Sequence, residues 1–488
     1  MRLPLIRKRF LVKHNVCRSS LRVAAHFLYI LQHKVEEKHE KVSFSFCIVF
    51  DLLYLCNQKR IHIAMRVLIV NTSEKTGGAA VAANRLMDAL NNNGVKAKML
   101  VRDKVSEDIT VVSLPHSPFL QWHFLWERWC AFWHLHFSKQ HLWEIDMAVA
   151  GSDITKLREF QEADVIHLSW INQGMLSLKS IRKIIKSGKP VVWTMHDLWP
   201  ATGICHYARG CNRYGSACGN CPLLPHKGSK NDLSNKIFRR KQALYHGGSI
   251  YFVSCSKWLE RQAKRSALFV GQHITNIPNP IDTHVFCPQD KAEARIHAGL
   301  PADKRLILFV SQKVTDERKG MTYFVEAIEK MVAEHPEMKG NTAIAILGGH
   351  SEEVAEKLAL PAYPLGYVSD ERIIVSVYNS VDAFVLPSLE DNLPNTIMEA
   401  MACGVPSVGF RVGGIPEMIE HQKNGYVANY RDVDDLAHGI HWVLEEADRK
   451  DLEKACLYKV SHQYSQHAVA LRYIEVYNEA MAYKNYKL

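Results

Sequence analysis

The chain has 488 residues, 47% of them hydrophobic and 23% charged. That length suits two or three domains with sizeable cores, and the balance excludes a disordered chain, a collagen-like fibre and a coiled coil. The net charge of +11 does not mark a nucleic-acid binder, because residues 1–64 hold 12 Lys and Arg against 4 Asp and Glu while the other 424 hold 49 against 46.

Residues 1–64 mix basic clusters such as Arg7-Lys8-Arg9 with short apolar runs. No apolar core precedes a small-residue cleavage site, and no run of about 18 apolar residues could span a bilayer. The segment reads either as sequence upstream of a start at Met65 or as a basic, membrane-surface tail. The first reading is preferred, because Met65-Arg66-Val67-Leu68-Ile69-Val70-Asn71 looks like an initiating methionine ahead of a buried strand.

From Met65 short β-rich runs alternate with helical patterns. Strands are predicted at 65–71, 95–101, 164–170, 190–196, 250–255 and 273–277, then at 305–311, 342–348, 382–387 and 406–410. Continuous apolar strands separated by helices predict parallel sheets covered on both faces. The pattern restarts near 305, which predicts two doubly wound α/β domains, 65–281 and 282–463, and a helical segment at 464–488. In such sheets ligands bind beyond the carboxyl ends of the strands.

Four strand-end loops and one cysteine cluster carry candidate chemistry. Gly77-Gly78 precede a helix and permit close backbone approach to an anion; a plain strand-to-helix turn explains them equally well. His196 ends a strand and either hydrogen-bonds a sugar or packs against Asp197. Ser311 to Gly320 places Lys319 to neutralise a bound phosphate; an ordinary surface lysine explains it equally simply. Pro387 to Pro406 joins an acidic loop to the start of a helix, so that Glu390, Asp391 and Glu399 accept hydroxyl hydrogen bonds while helix amides face a diphosphate. Cys205, Cys211, Cys218 and Cys221 fit a closed structural zinc site, with His206 as a substitute ligand, or else reduced structural thiols.

Together the stretches 388–408 (SLEDNLPNTIMEAMACGVPSV), 412–419 (VGGIPEMI) and 424–427 (NGYV) resemble the donor-site motif of the family 4 retaining glycosyltransferases of the GT-B fold. The resemblance covers about 65–480. It implies transfer of a hexosyl unit from a nucleoside-diphosphate sugar, with retention and without a catalytic metal. The family's acidic pair, eight apart, matches Asp391 and Glu399; the first is usually Glu, which leaves open whether Glu390 or Asp391 meets the donor. Glu399 is implied to bind the ribose, and Asn392, Pro394, Asn395 and Thr396 to line the diphosphate. Lys319 matches the family Lys of an Arg/Lys pair, while the Arg falls near Gln312, with Lys313 as a compensating cation. Gly77 and Gly78 match the glycine loop near donor phosphate and acceptor, His196 the histidine near the transferred sugar, and Gly366, Tyr367 and Val368 the loop bracketing the base. The stretch 193–207 (WTMHDLWPATGICHY) is similar to a bacterial subgroup linked to surface-polysaccharide assembly, and 464–482 to the helix that crosses back to the first domain.

The acceptor is expected to be a glycan or lipid-linked glycan, met in the cytoplasm or on the inner face of the bacterial membrane. Trp122, Trp126, Trp129 and Trp133 recur at helical spacing, which suits either a membrane interface or packing on the chain's own domain. The competing readings are a nucleotide-sugar epimerase or phosphorylase on the same fold and a non-catalytic sugar-binding or assembly protein.

Overall fold

The computed structural model describes residues 65–115 and 117–486. The expectations for residues 1–64 lie outside the described residues.

Strands β1 (Arg66–Val70), β2 (Lys96–Val101), β3 (Val111–Ser113), β4 (Val165–Leu168), β5 (Val191–Met195), β6 (Ile250–Ser254) and β7 (His273–Asn276) form a seven-stranded sheet in the order β3-β2-β1-β4-β5-β6-β7. Strands β8 (Arg305–Lys313), β9 (Thr342–Gly349), β10 (Ala362–Gly366), β11 (Ala383–Leu386), β12 (Ser407–Phe410) and β13 (Gly425–Ala428) form a second sheet in the order β10-β9-β8-β11-β12-β13. Every pairing within both sheets is parallel. This is the doubly wound α/β architecture with two sheets. Strand order reverses beside β1 in one sheet and beside β8 in the other, so a crevice opens at each reversal.

The apolar runs become strands because both of their faces are covered. All residues of β4, β5, β6, β11 and β12 are buried. Truncating such a residue, Ile166 or Val385 for example, to Ala costs about 2–5 kcal/mol. The sequence pattern misses β3, β10 and β13 for local reasons. β3 is three residues long, β10 carries Pro364 and only partly buried or exposed residues, and β13 starts on Gly425.

One face of the first sheet is closed by two helices from opposite ends of the chain. Helix Gly78–Asn92 buries Ala83, Leu86, Met87 and Leu90, and helix Gln466–Tyr486 adds Val469, Tyr473, Val476 and Tyr477 to the same cluster. Tyr477 Oη lies 2.6 Å from His167 Nδ1, and Tyr473 Oη lies 2.9 Å from Thr194 Oγ1, both deep under the sheet. Both sheets and this returning helix belong to one compact unit.

Helix Pro118–His134 starts where Ser117 Oγ accepts the Phe119 amide and Pro118 takes the first helical position. Its inner face buries Glu127, Arg128 and Ala131. Its tryptophans are at least half exposed to solvent. Among the described residues no helix is long and apolar enough to cross a membrane.

Candidate functional site

The strand ends of the two sheets face one another across a cleft of about 610 Å³. Its walls include Gly77 and Gly78 after β1, His196 after β5, Lys313 and Lys319 after β8, Tyr367 and Val368 after β10, and Asp391, Asn392, Pro394, Asn395, Thr396 and Glu399 after β11. Gly366 and Glu390 are not among the lining residues. Gly366 turns the chain at φ 66° and fixes the direction in which Tyr367 projects.

Backbone geometry explains why these loops are glycine-rich at particular points. Gly77 sits at φ 90° ahead of helix Gly78–Asn92. A Cβ on Gly320 would fall 1.9 Å from the Pro387 carbonyl oxygen, and one on Gly413 would fall 1.7 Å from that of Asp391. The VGG segment therefore buttresses the acidic loop from behind.

Two helix N-termini open onto the cleft, one from each sheet. Helix Gly78–Asn92 follows Gly77 and helix Asn395–Ala402 follows Pro394; neither is capped by a side chain. Their first-turn amides and dipoles favour an anion. Asn395 ties the two together, its Nδ2 donating to the Gly78 carbonyl at 3.0 Å and its Oδ1 accepting from Asn279 at 3.0 Å.

The cations come from a single helical turn, Glu317–Lys319, after β8. Lys319 Nζ pairs with Asp391 Oδ2 at 2.5 Å. Arg318 is its companion: Nη1 lies 3.7 Å from Asp391 Oδ2 and donates to the Glu390 carbonyl at 3.0 Å. Its guanidinium carbon stands 5.0 Å from the centre of the Tyr207 ring, across the cleft. Burial opposes the charge of Arg318, but Tyr207 and the carboxylates of Asp391, Asp316 and Glu390 outweigh it and raise its pKa. Arg318 is thus a second buried cation beside Lys319, whereas Gln312 and Lys313 sit exposed on the cleft wall. The sequence signal for Arg318 was its adjacency to Lys319.

The three carboxylates have different surroundings. Burial pushes the Asp391 pKa up, yet Lys319 and Arg318 pull it below the ordinary aspartate range, and Ser388 Oγ donates to it at 3.2 Å. Glu390 turns to the backbone amides of Ala208 and Arg209; burial raises its pKa in spite of them. Asp391 is therefore the member of the pair that faces the cleft. Glu399 accepts from Tyr378 Oη at 2.9 Å and pairs with Arg85 Nη2 at 2.8 Å. Arg85 belongs to helix Gly78–Asn92, two turns beyond Gly78 and on the same face. The i,i+7 spacing was the available clue to it.

His196 shares a hydrogen bond with Ser169 Oγ at 2.9 Å through Nε2, and its Nδ1 lies 3.4 Å from Cys255 Sγ. Burial lowers its pKa to about 4 in spite of Asp197, so the ring is neutral at pH 7. Asp197 does not hold His196. It binds His206 Nδ1 at 2.8 Å, Trp170 Nε1 at 3.0 Å and the Trp199 amide at 2.8 Å.

Cys205, Cys211, Cys218 and Cys221 line one small cavity, but among the described residues no group of three or more His, Cys, Asp or Glu side chains could hold a metal ion. The four are free cysteines, and burial pushes the thiols of Cys205 and Cys218 up to about 12. His206, the alternative ligand, gives its Nδ1 to Asp197.

Fold and cleft define a GT-B architecture, two Rossmann-like domains with a polar crevice between their strand ends. Family models match both halves, Glycosyltransferase Family 4 over residues 76–285 and Glycosyl transferases group 1 over residues 304–446. The chain belongs to the family 4 glycosyltransferases. A D-inositol 3-phosphate glycosyltransferase of Thermobispora bispora is 28% identical over 221 residues, 43% of this chain and 51% of that one. The Escherichia coli protein provisionally named colanic acid biosynthesis glycosyl transferase WcaC is 24% identical over 273 residues, 54% and 62% of the two chains. The chain spans about half the length of the curated relatives it matches. Among solved structures, Anabaena HepE in complex with UDP and glucose shares the fold at 15% identity and TM-score 0.56, over 85% of this chain and 100% of that one.

Proposed function

We propose that the protein is a retaining hexosyltransferase that moves a sugar from a nucleoside diphosphate to a glycan or lipid-linked glycan in bacterial surface-polysaccharide synthesis, working at the inner face of the membrane. One observation carries the reading: Lys319, Arg318 and the uncapped start of helix Asn395–Ala402 converge on the cleft beside the carboxylates of Asp391 and Glu399. Two cations and free amides suit a diphosphate, and adjacent carboxylates suit sugar hydroxyls. The name of the WcaC relative supports the polysaccharide role, and the UDP and glucose held by HepE support a nucleotide-sugar donor.

In this reading the diphosphate lies over Asn395 and Thr396 and competes with Asp391 for Lys319 and Arg318. As the glycosidic bond breaks, negative charge grows on the departing phosphate, and these groups stabilise it without rearranging. Asp391, freed from Lys319, accepts from a donor-sugar hydroxyl. Glu399 is held by Arg85 and Tyr378 with both oxygens aimed, and it accepts from the ribose. His196 is neutral and adds no charge to a site where a cationic sugar carbon develops. No side chain is assigned as a covalent nucleophile, and the task of balancing the leaving charge is assigned to the protein's own cations and amides.

The test is a panel of UDP-, GDP- and ADP-sugars, followed by thermal shift and slow donor hydrolysis. Stabilisation by one donor and by its nucleoside diphosphate, lost in Lys319→Ala, is the expected result. A folded protein that responds to none of them would sink the reading.

A further inference from the structure

The least explained surface of the molecule is the outer face of helix Pro118–His134 and the turn that follows it. Phe119, Trp122, Leu125, Trp126, Trp129 and Trp133 are 50–68% exposed, as are Phe137 and Trp143 just beyond. The steps of three and four residues from 119 to 133 set them along one side of the helix. A soluble surface rarely carries so large a contiguous apolar patch unless something covers it.

The patch is a prearranged platform. Phe137 stands 5.3 Å from Trp133, 5.5 Å from Phe132 and 6.3 Å from Trp129, and Phe124 stacks on Trp143 at 6.4 Å. Phe137 reaches this position through two successive non-glycine residues with left-handed backbone, His136 and Phe137 itself.

Charge decides what covers it. The helix has one carboxylate, Glu127, and it points inward, accepting the amides of Met147, Ala148, Val149 and Ala150. Asp146 is also buried and pairs with Arg128 at 2.9 Å. At the rim, Glu144 is held by Arg209 and Asp103 by Arg102. Outward beside the rings stands Lys139, and Lys236 acts on His134 at the end of the helix. An aromatic face with its acids withdrawn and a cation at its edge matches an anionic lipid headgroup region, where Trp favours the boundary between water and acyl chain.

Position agrees. The backbone of His123 and Phe124 crosses Gly174 so closely that a Cβ there would meet it at 2.7 Å. Asn172, two residues earlier, accepts from Thr72 in the loop that leads to Gly77. The helix that carries the face is thus packed on the loop after β4, whose Trp170 lines the first-domain side of the cleft.

We infer that this aromatic face seats the protein on an anionic bilayer surface and brings the cleft to an acceptor carried by lipid. The inference rests on the acceptor half of the proposed function and not on its donor half.

The test uses the full chain with vesicles of phosphatidylcholine alone or mixed with phosphatidylglycerol, read by flotation and by quenching of tryptophan with brominated acyl chains. Binding to the mixed vesicles with quenching is expected. The variant Trp122→Gln/Trp126→Gln/Trp129→Gln, at exposed helix positions where Gln is tolerated, should bind at least about tenfold less, because affinity follows the apolar area inserted. Its unfolding midpoint and donor-induced thermal shift should be unchanged. Full binding by that variant would overturn the inference and assign the membrane contact to the basic residues 1–64. So would absence of binding, or a concentration-dependent dimer abolished by the same substitutions, which would make a second copy the occupant. Vesicle binding needs no donor, so failure here and failure of the transferase reading are separate results.

Discussion

The two walls of the cleft are built on different chemistry. The second-domain wall is charged: Lys319, Arg318, Asp391 and Glu399 all come from the loops after β8 and β11. The first-domain wall is largely neutral, with His196, Asn71, Trp170 and the paired glycines. Its buried carboxylate, Asp197, is spent on His206, and Arg85 behind it is spent on Glu399. The difference indicates which substrate each wall meets. The second wall handles a partner whose charge must be balanced, and the first handles one that brings hydroxyls and a growing positive centre.

The sharpest way to break that comparison is Lys319→Ala. Removing one charge-stabilising donor from the second wall should cut transfer by about 10²–10³-fold and abolish donor-induced thermal shift; a variant that turns over normally would move the diphosphate elsewhere. Glu399→Gln should follow, with a loss of about 10–100-fold from one charged hydrogen bond to the donor and a raised donor KM. Arg318→Gln should cost about tenfold, read as kcat/KM, while Lys313→Gln should cost little; the reverse order would restore the cation to the end of β8.

The Arg85–Glu399 pair probes the contact between the walls. Both side chains are 11% exposed, so Arg85→Met strands a buried carboxylate at about 3–5 kcal/mol, measured by urea unfolding. Arg85→Met/Glu399→Gln should recover most of that loss. If it does not, Arg85 matters through Phe286, over whose ring it lies at 4.8 Å, and not through its charge.

A further effect is on pH. His196 and His167 are held down at about 4 and about 3, both first by burial. Between 6.5 and those values the unfolded chain takes up protons that the folded chain refuses. Stability should therefore fall as pH drops from about 6.5 toward 4 and should not change through these groups above 7. His167→Gln should flatten the slope of unfolding free energy against pH in that window. An unchanged slope would mean that water reaches the imidazoles.

Much of this was legible in the sequence because apolar strands and strand-end loops leave strong marks. The run from Ser388 to Pro406 announced strand, acidic loop and helix start in order. What escaped were side chains whose role depends on the opposite domain. Arg85 reads as an ordinary polar position of a helix until Glu399 is seen across from it. Tyr207 sits in a cysteine-rich stretch that suggested metal, yet it faces Arg318, while Asp197, read as a support for His196, orients His206. The four cysteines of that stretch do come together on one small cavity, which their spacing alone announced. Tryptophan periodicity marked a helix face but not whether protein or solvent lay beyond it.

Helix Gln466–Tyr486 has a consequence for biosynthesis. Its tyrosines supply the partners of His167 and Thr194, two polar groups sealed beneath the first sheet. Until that helix arrives, the first half of the chain carries unsatisfied groups and an uncovered apolar stripe, although every one of its strands has already been made. The first domain is thus completed last, by residues translated after the entire second domain. A ribosome that stalls late therefore releases two nearly finished sheets and one open wound, a product that quality control can tell from the finished protein by its exposed surface alone.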